Sequence, residues 1–118
     1  MSTPAHRARL VLSLRSAGIT NTSVLSAIES VPRELFVPET FVDRAYEDTA
    51  LPIGYGQTLS QPLVVATMIQ ALELDERVKL FEVGTGSGYH AAILSHLCRR
   101  VYTIERHKPL LAEAQTRF

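Results

Sequence analysis

Glycines stand at positions 84, 86 and 88, an acid precedes them at Glu82, and a second acid follows at Glu105. Glycine lets a backbone turn tightly and carries no Cβ to block a ligand, and a helix that starts at such a loop offers unpaired N–H groups. An acid about 20 positions on, closing the next β-prone run, is placed to accept hydrogen bonds from ribose hydroxyls. Together these residue types describe a nucleoside site. Glycine-rich turns are common, and the same glycines could merely turn a strand into a helix. The offset of Glu105 is what argues against that plain reading.

Spacing selects the nucleoside. A dinucleotide loop reads G-x-G-x-x-G and seats a pyrophosphate at the helix start. Here Glu82-Val83-Gly84-Thr85-Gly86-Ser87-Gly88 reads G-x-G-x-G, with an acid two residues before the first glycine. That carboxylate would repel a pyrophosphate but suits a cation. S-adenosylmethionine carries an ammonium and a sulfonium and no phosphate, so it is preferred over a nicotinamide dinucleotide. Glu82, Gly84, Thr85, Gly86, Gly88 and Glu105 are the candidate cofactor residues, and a solvated strand end remains the alternative for Glu82.

Other reactive side chains form no set. His90 and His96 lie six apart, hence on different helix faces, and no acid or cysteine completes a metal site with them. Cys98 is the only cysteine, so no intrachain disulfide forms, and its apolar setting in AAILSHLC reads as a small buried hydrophobe. The 118 residues carry 12 Lys+Arg against 12 Asp+Glu, with 46% apolar residues. That is the composition of one globular domain, with nothing that announces nucleic acid or an anionic membrane as partner. The N-terminus has arginines among its apolar residues and no signal-peptide core, so a cytoplasmic protein is expected.

The elements that must position the loop follow from periodicity. Thr3-Pro4 reads as cap and first residue of a helix that Gly18 stops, with Leu10, Val11 and Leu14 on one face. A second helix runs from Thr22 to Ser30 with Val24, Leu25 and Ile28 inward, until Pro32 ends it. PRELFVPETF reads as a turn, a short helical piece and another start near Thr40, with Phe36 and Phe41 in the core. Residues 48–62 have the chemistry of a long loop. A helix over Gln61–Leu74 follows, with Val65, Met68, Ile69 and Leu72 inward. Strands are expected over Val78–Val83 and Val101–Glu105, a helix over Gly88–Cys98 between them, and a last helix from Pro109. Strand, helix, strand at this spacing gives parallel neighbours. The fold class is α/β, N-terminal helices followed by the start of a doubly wound Rossmann-like sheet.

The segments VPRELFVPETF (31–41), ALPIGYGQTLSQP (50–62), FEVGTGSGY (81–89) and VYTIER (101–106) stand in an order and spacing that resembles the protein-L-isoaspartate O-methyltransferase family. The glycine loop is common to many methyltransferases; the LPIG-x-GQT-x-SQP hinge is far more specific. The resemblance implies a protein-repair enzyme that methylates the α-carboxylate of L-isoaspartyl residues in damaged proteins. The ester then cyclises to a succinimide that partly reopens to aspartate. By the same resemblance Ser60 matches the active-site serine, and Gln57, Thr58 and Leu59 match the strip beside it that touches cofactor and substrate. Glu82, Gly84 and Gly86 match the methionine-end loop, and Glu105 the ribose acid. Residues 1–62 would then be a helical segment with the active-site hinge, and 63–118 the first β-α-β-α part of the S-adenosylmethionine domain.

That reaction asks for little apparatus. A carboxylate of pKa ~3.5–4 is already ionised at neutral pH and needs no general base. In-line positioning and water exclusion remain, and orientation can supply ~7–11 kcal/mol. Ser60 would position the carboxylate rather than attack. By position alone Ser60 reads as the N-cap of the helix that follows, worth about 1 kcal/mol, and the two roles are compatible because a helix N-terminus favours an anion. Thr58 reads equally well as a turn hydroxyl. The family continues for roughly another half beyond the equivalent of Phe118. A truncated chain with little activity is therefore expected, its open sheet edge inviting self-association. Another small-molecule methyltransferase, or a non-catalytic assembly module, are the competing readings.

Overall fold

A computed structural model describes residues 4–118; the Thr3 cap lies outside them. Helix α1, Pro4–Ser16, buries Leu10, Val11 and Leu14 as its spacing requires. Helix α2, Thr22–Ser30, is capped by the Asn21 side chain, which accepts from Val24 N at 3.1 Å. It turns Val24, Leu25 and Ile28 into the same core. Two 3₁₀ turns follow, Arg33–Phe36 and Glu39–Arg44. Phe36 is buried against the Tyr89 ring at 5.6 Å, and Phe41 packs half-buried on the core.

Residues 48–62, expected as a loop, contain a β-hairpin. Strand β1, Leu51–Gly54, pairs antiparallel with β2, Gln57–Leu59, through a two-residue Tyr55-Gly56 turn. Both turn residues have positive φ (57° and 70°), the conformation that matches strand twist in the tightest hairpins. Leu51, Ile53 and Leu59 point inward. Strands of four and three residues are too short to show their alternation against so many glycines and prolines.

Helix α3, Pro62–Ala71, begins with proline in its first turn. Its cap is not Ser60. Asp48, from upstream of the hairpin, accepts from Leu63 N at 3.0 Å. Val65, Ala66 and Ile69 are buried, whereas Met68 and Leu72, expected inward, are more than half exposed. The helix packs on α1 and α2 along a narrower stripe than the apolar residues cover.

Strand β3, Lys79–Val83, and strand β4, Arg100–Ile104, pair in parallel with Glu82 opposite Thr103 and Val83 opposite Ile104. Helix α4 between them spans only Tyr89–Leu94, and turns that keep Leu97 and Cys98 buried replace its expected last four residues. Helix α5 is Lys108–Arg117. Leu80 and Val101 pack on the core, while Phe81, Val83, Tyr102 and Ile104 lie 46% to 77% exposed on the opposite sheet face. Parallel sheets are ordinarily covered on both faces. No helix among the described residues is long and apolar enough to cross a membrane.

Candidate functional site

The turn from β3 into α4 is anchored to the neighbouring strand. Gly84 N and Thr85 N both donate to Ile104 O, at 2.8 and 3.0 Å, and Gly88 N donates to Thr85 O at 2.9 Å. Gly86 N donates to Glu105 Oε1 at 2.9 Å. The N–H groups of Gly84, Thr85, Gly86 and Gly88 are therefore already committed within the fold, while the helix itself starts at Tyr89.

Gly84 has φ +92°, and a Cβ there would meet nothing within 4 Å. It is the open floor shared by two recesses. The larger, about 330 Å³, takes in Thr58, Leu59 and Ser60 from the hairpin, Glu82 from β3, Thr85 and Ser87 from the loop, and Tyr89 and His90 from α4. The smaller, about 250 Å³, lies toward Gln57, Glu105, Arg106 and His107. Gly88 reaches neither. Its φ of +93° is a left-handed conformation that favours glycine, and a Cβ there would also meet the tip of the Phe118 ring at 2.8 Å.

The two acids differ. Glu105 accepts from Gly86 N with one oxygen and from His107 N with the other, both at 2.9 Å. Burial alone would raise its carboxyl, but these backbone donors outweigh it and hold the group below the ordinary range. A carboxylate has about four lone-pair sites, so acceptor capacity remains for a diol. Glu82 accepts from Thr103 Oγ1 at 2.7 Å, and Thr103 in turn lies 2.6 Å from Thr85 Oγ1. Because the Thr103 proton is spent on Glu82, Thr85 must be the donor of the second bond. Burial raises the Glu82 carboxyl above its ordinary value, Thr103 opposes the rise, and the charge of Glu105 adds to it.

Several contributors were not legible from residue types. Thr103 becomes the partner of Glu82 only through the parallel register. His90 Nδ1 sits 4.0 Å from Glu82, and burial together with the Arg33 charge pulls its pKa down, leaving a neutral imidazole at the recess wall. Ser87 Oγ is buried in the larger recess with no partner among the described residues. Its place in the glycine motif was the available signal. Tyr55 stacks on His107 at 6.2 Å, bringing the hairpin tip to the smaller recess.

The hairpin side is fixed from below. Ser60 is half-buried, its carbonyl accepts from Arg33 Nη2 at 3.0 Å, and among the described residues its hydroxyl takes no hydrogen bond. Thr58 is exposed at the same rim, while Leu59 is buried in the core and meets the recess only at its edge. Gln57 belongs to the smaller recess. An open glycine floor, a carboxylate on each side and the orphaned Ser87 hydroxyl fit a nucleoside with a cationic amino-acid tail. No cluster of metal-ligating side chains occurs among the described residues.

A sequence profile described as Protein-L-isoaspartate(D-aspartate) O-methyltransferase (PCMT) matches residues 5–118. The protein-L-isoaspartate O-methyltransferase of Rhodospirillum centenum is 64% identical over 118 residues, covering 100% of this chain and 53% of that one. The protein of that name from Paramagnetospirillum magneticum is 66% identical over 110 residues, 93% of this chain and 51% of the relative. The chain thus spans about half the length of the curated relatives it matches. A solved protein-L-isoaspartate O-methyltransferase superposes with a TM-score of 0.84 at 27% identity, over 93% of this chain and 37% of that one. A Plasmodium falciparum β-aspartate methyltransferase (PCMT) in complex with S-adenosyl-L-homocysteine gives 0.77 at 25% identity, over 94% and 53%.

Proposed function

The chain belongs to the protein-L-isoaspartate O-methyltransferase family, and from that premise we propose that it forms the cofactor-loop and acceptor-side part of an S-adenosylmethionine-dependent enzyme. The acceptor is the α-carboxylate of L-isoaspartyl residues in damaged proteins, and the outcome is repair. What carries this reading is one recess in which Ser60 and Thr58 stand across from Glu82 and Gly84.

When bound, S-adenosylmethionine supplies a methyl group on an electron-poor sulfonium. Glu82 accepts the ammonium of its amino-acid tail, Gly84 lets the ligand lie against the backbone, and Glu105 accepts the ribose hydroxyls. Thr85 acts through Thr103 on Glu82 rather than on the ligand. The Ser60 hydroxyl, without a hydrogen bond among the described residues, donates to the acceptor carboxylate and sets its line of approach. That carboxylate is ionised at neutral pH, so no residue need take a proton from it.

Calorimetry of the 118-residue polypeptide with S-adenosylhomocysteine tests the cofactor half. Saturable binding, weakened by Gly84→Val, is expected; absence of any binding would remove the cofactor role from this chain. Labelled methyl transfer to paired peptides tests the substrate. Transfer to the aspartyl peptide as readily as to its isoaspartyl isomer would overturn the acceptor assignment.

A further inference from the structure

Arg33 is fully buried, yet among the described residues no carboxylate bonds it. Its Nε donates to Ala45 O at 2.6 Å and its Nη2 to Ser60 O at 3.0 Å. The guanidinium carbon lies 4.9 Å from the centre of the Tyr89 ring, and Nη1 has no hydrogen-bond acceptor among the described residues. A guanidinium remains charged under these conditions. Burying a charge without an opposite partner is costly, and an apolar side chain of similar volume could fill the same space without that cost. The charge is therefore the feature that calls for a use.

Its surroundings indicate where the field acts. Arg33 bonds Ser60 and lies over Tyr89, and both residues line the larger recess. Glu82 lines the same recess. The cavity thus carries a negative group suited to an ammonium and, behind Ser60, a positive group that no carboxylate hydrogen-bonds among the described residues. Asp48 and Glu34 are the nearby acids; Asp48 accepts from Leu63 N and Glu34 from the Tyr46 hydroxyl, and the Asp48 charge favours the Arg33 cation without bonding it.

Resting on the acceptor reading above, we propose that Arg33 is the positioning residue for the acceptor carboxylate. It holds Ser60 by its carbonyl oxygen and supplies, through one layer of protein, the positive potential that draws an anion to the Ser60 hydroxyl. It does not touch the acceptor itself.

The test uses the full 118-residue chain saturated with S-adenosylhomocysteine and a fluorescein-labelled isoaspartyl peptide, with either a free α-carboxylate or an α-carboxamide. Anisotropy titrations of the wild type are expected to favour the carboxylate by about tenfold, the scale of one charge acting at short range in a partly desolvated site. Arg33→Met should lose that preference while its S-adenosylhomocysteine affinity stays within roughly twofold. Arg33→Lys, which keeps the charge and loses the fork, should bind both peptides less tightly and still prefer the carboxylate. If Arg33→Met does not fold, Arg33→Lys decides: loss of the preference with cofactor binding intact overturns the proposal. An undiminished preference in Arg33→Met, or equal losses for both peptides and for S-adenosylhomocysteine, also overturns it. A wild type that binds S-adenosylhomocysteine without discriminating the peptides rejects this inference alone; one that binds no S-adenosylhomocysteine rejects the cofactor reading, and this inference with it.

Discussion

On one side of Gly84, Glu105 is held by two backbone N–H donors; on the other, Glu82 rests on a single threonine hydroxyl that is itself held by a second. The first acid is pulled below its ordinary pKa and the second pushed above. Backbone donors are fixed by the fold, so Glu105 is a finished acceptor that also locks the loop through Gly86. Glu82 is buried with less help, so its charged form has more to gain from a nearby cation. On the proposed reading, preorganisation serves the neutral diol, whereas a deficit of stabilisation serves the charged tail.

The strongest way to break this contrast is Glu105→Ala. It leaves the Gly86 and His107 donors without their acceptor, which should cost about 1–3 kcal/mol in urea denaturation. It should also abolish S-adenosylhomocysteine binding in calorimetry, because the loop loses its tie to the residue after β4. A fully stable variant would show that Glu105 does not anchor the loop.

Glu82→Gln probes the other side. It keeps the volume and removes the charge, so affinity for S-adenosylhomocysteine at neutral pH should fall roughly tenfold, about 1.4 kcal/mol, with folding intact. In the wild type that affinity should decline as pH falls through the raised Glu82 pKa, since the ammonium needs the ionised form, and the variant should be flat over that interval. Glu105 stays ionised there because its own pKa is lowered. Stability should move the opposite way. The folded state holds the Glu82 proton more tightly than the unfolded chain, a gain present below the unfolded value of about 4.3 and lost as pH rises through the folded value. Equal pH profiles for both proteins would refute the assignment.

Thr103→Val is the smallest perturbation. Removing the hydroxyl should cost about 1 kcal/mol and move the midpoint of the affinity profile to higher pH, leaving the Glu105 carbon resonance unchanged by NMR. A shift at Glu105 as well would show that the two acids titrate as one unit.

Much of the architecture was legible before any coordinates. Leu10, Val11 and Leu14, or Val65 and Ile69, declare a buried helix face because side-chain spacing along a helix is a local property. The β3–loop–α4–β4 order followed from Gly84, Gly86 and two β-prone runs. Legibility failed where short elements met distant partners. The β1–β2 hairpin was hidden by Pro52, Gly54 and Gly56, and the α3 cap went to Asp48 rather than the adjacent Ser60. Met68 carries the helix spacing but stands at the recess instead of the core.

The sequence by itself determined the helices and the β3–β4 pair, the glycine loop with its acids at Glu82 and Glu105, and the resemblance that the family match then bore out. Those are short-range properties: allowed φ/ψ, periodicity and spacing along one chain. Only the tertiary structure decided that Thr103 partners Glu82, that Ser60 lines the same recess, and that Arg33 is bound to the Ser60 carbonyl with no carboxylate bonding it among the described residues. These contacts join residues 21 to 27 positions apart. Strand register and the chain crossing that sets Arg33 under Ser60 bring them together, and no local preference of the residues involved encodes that.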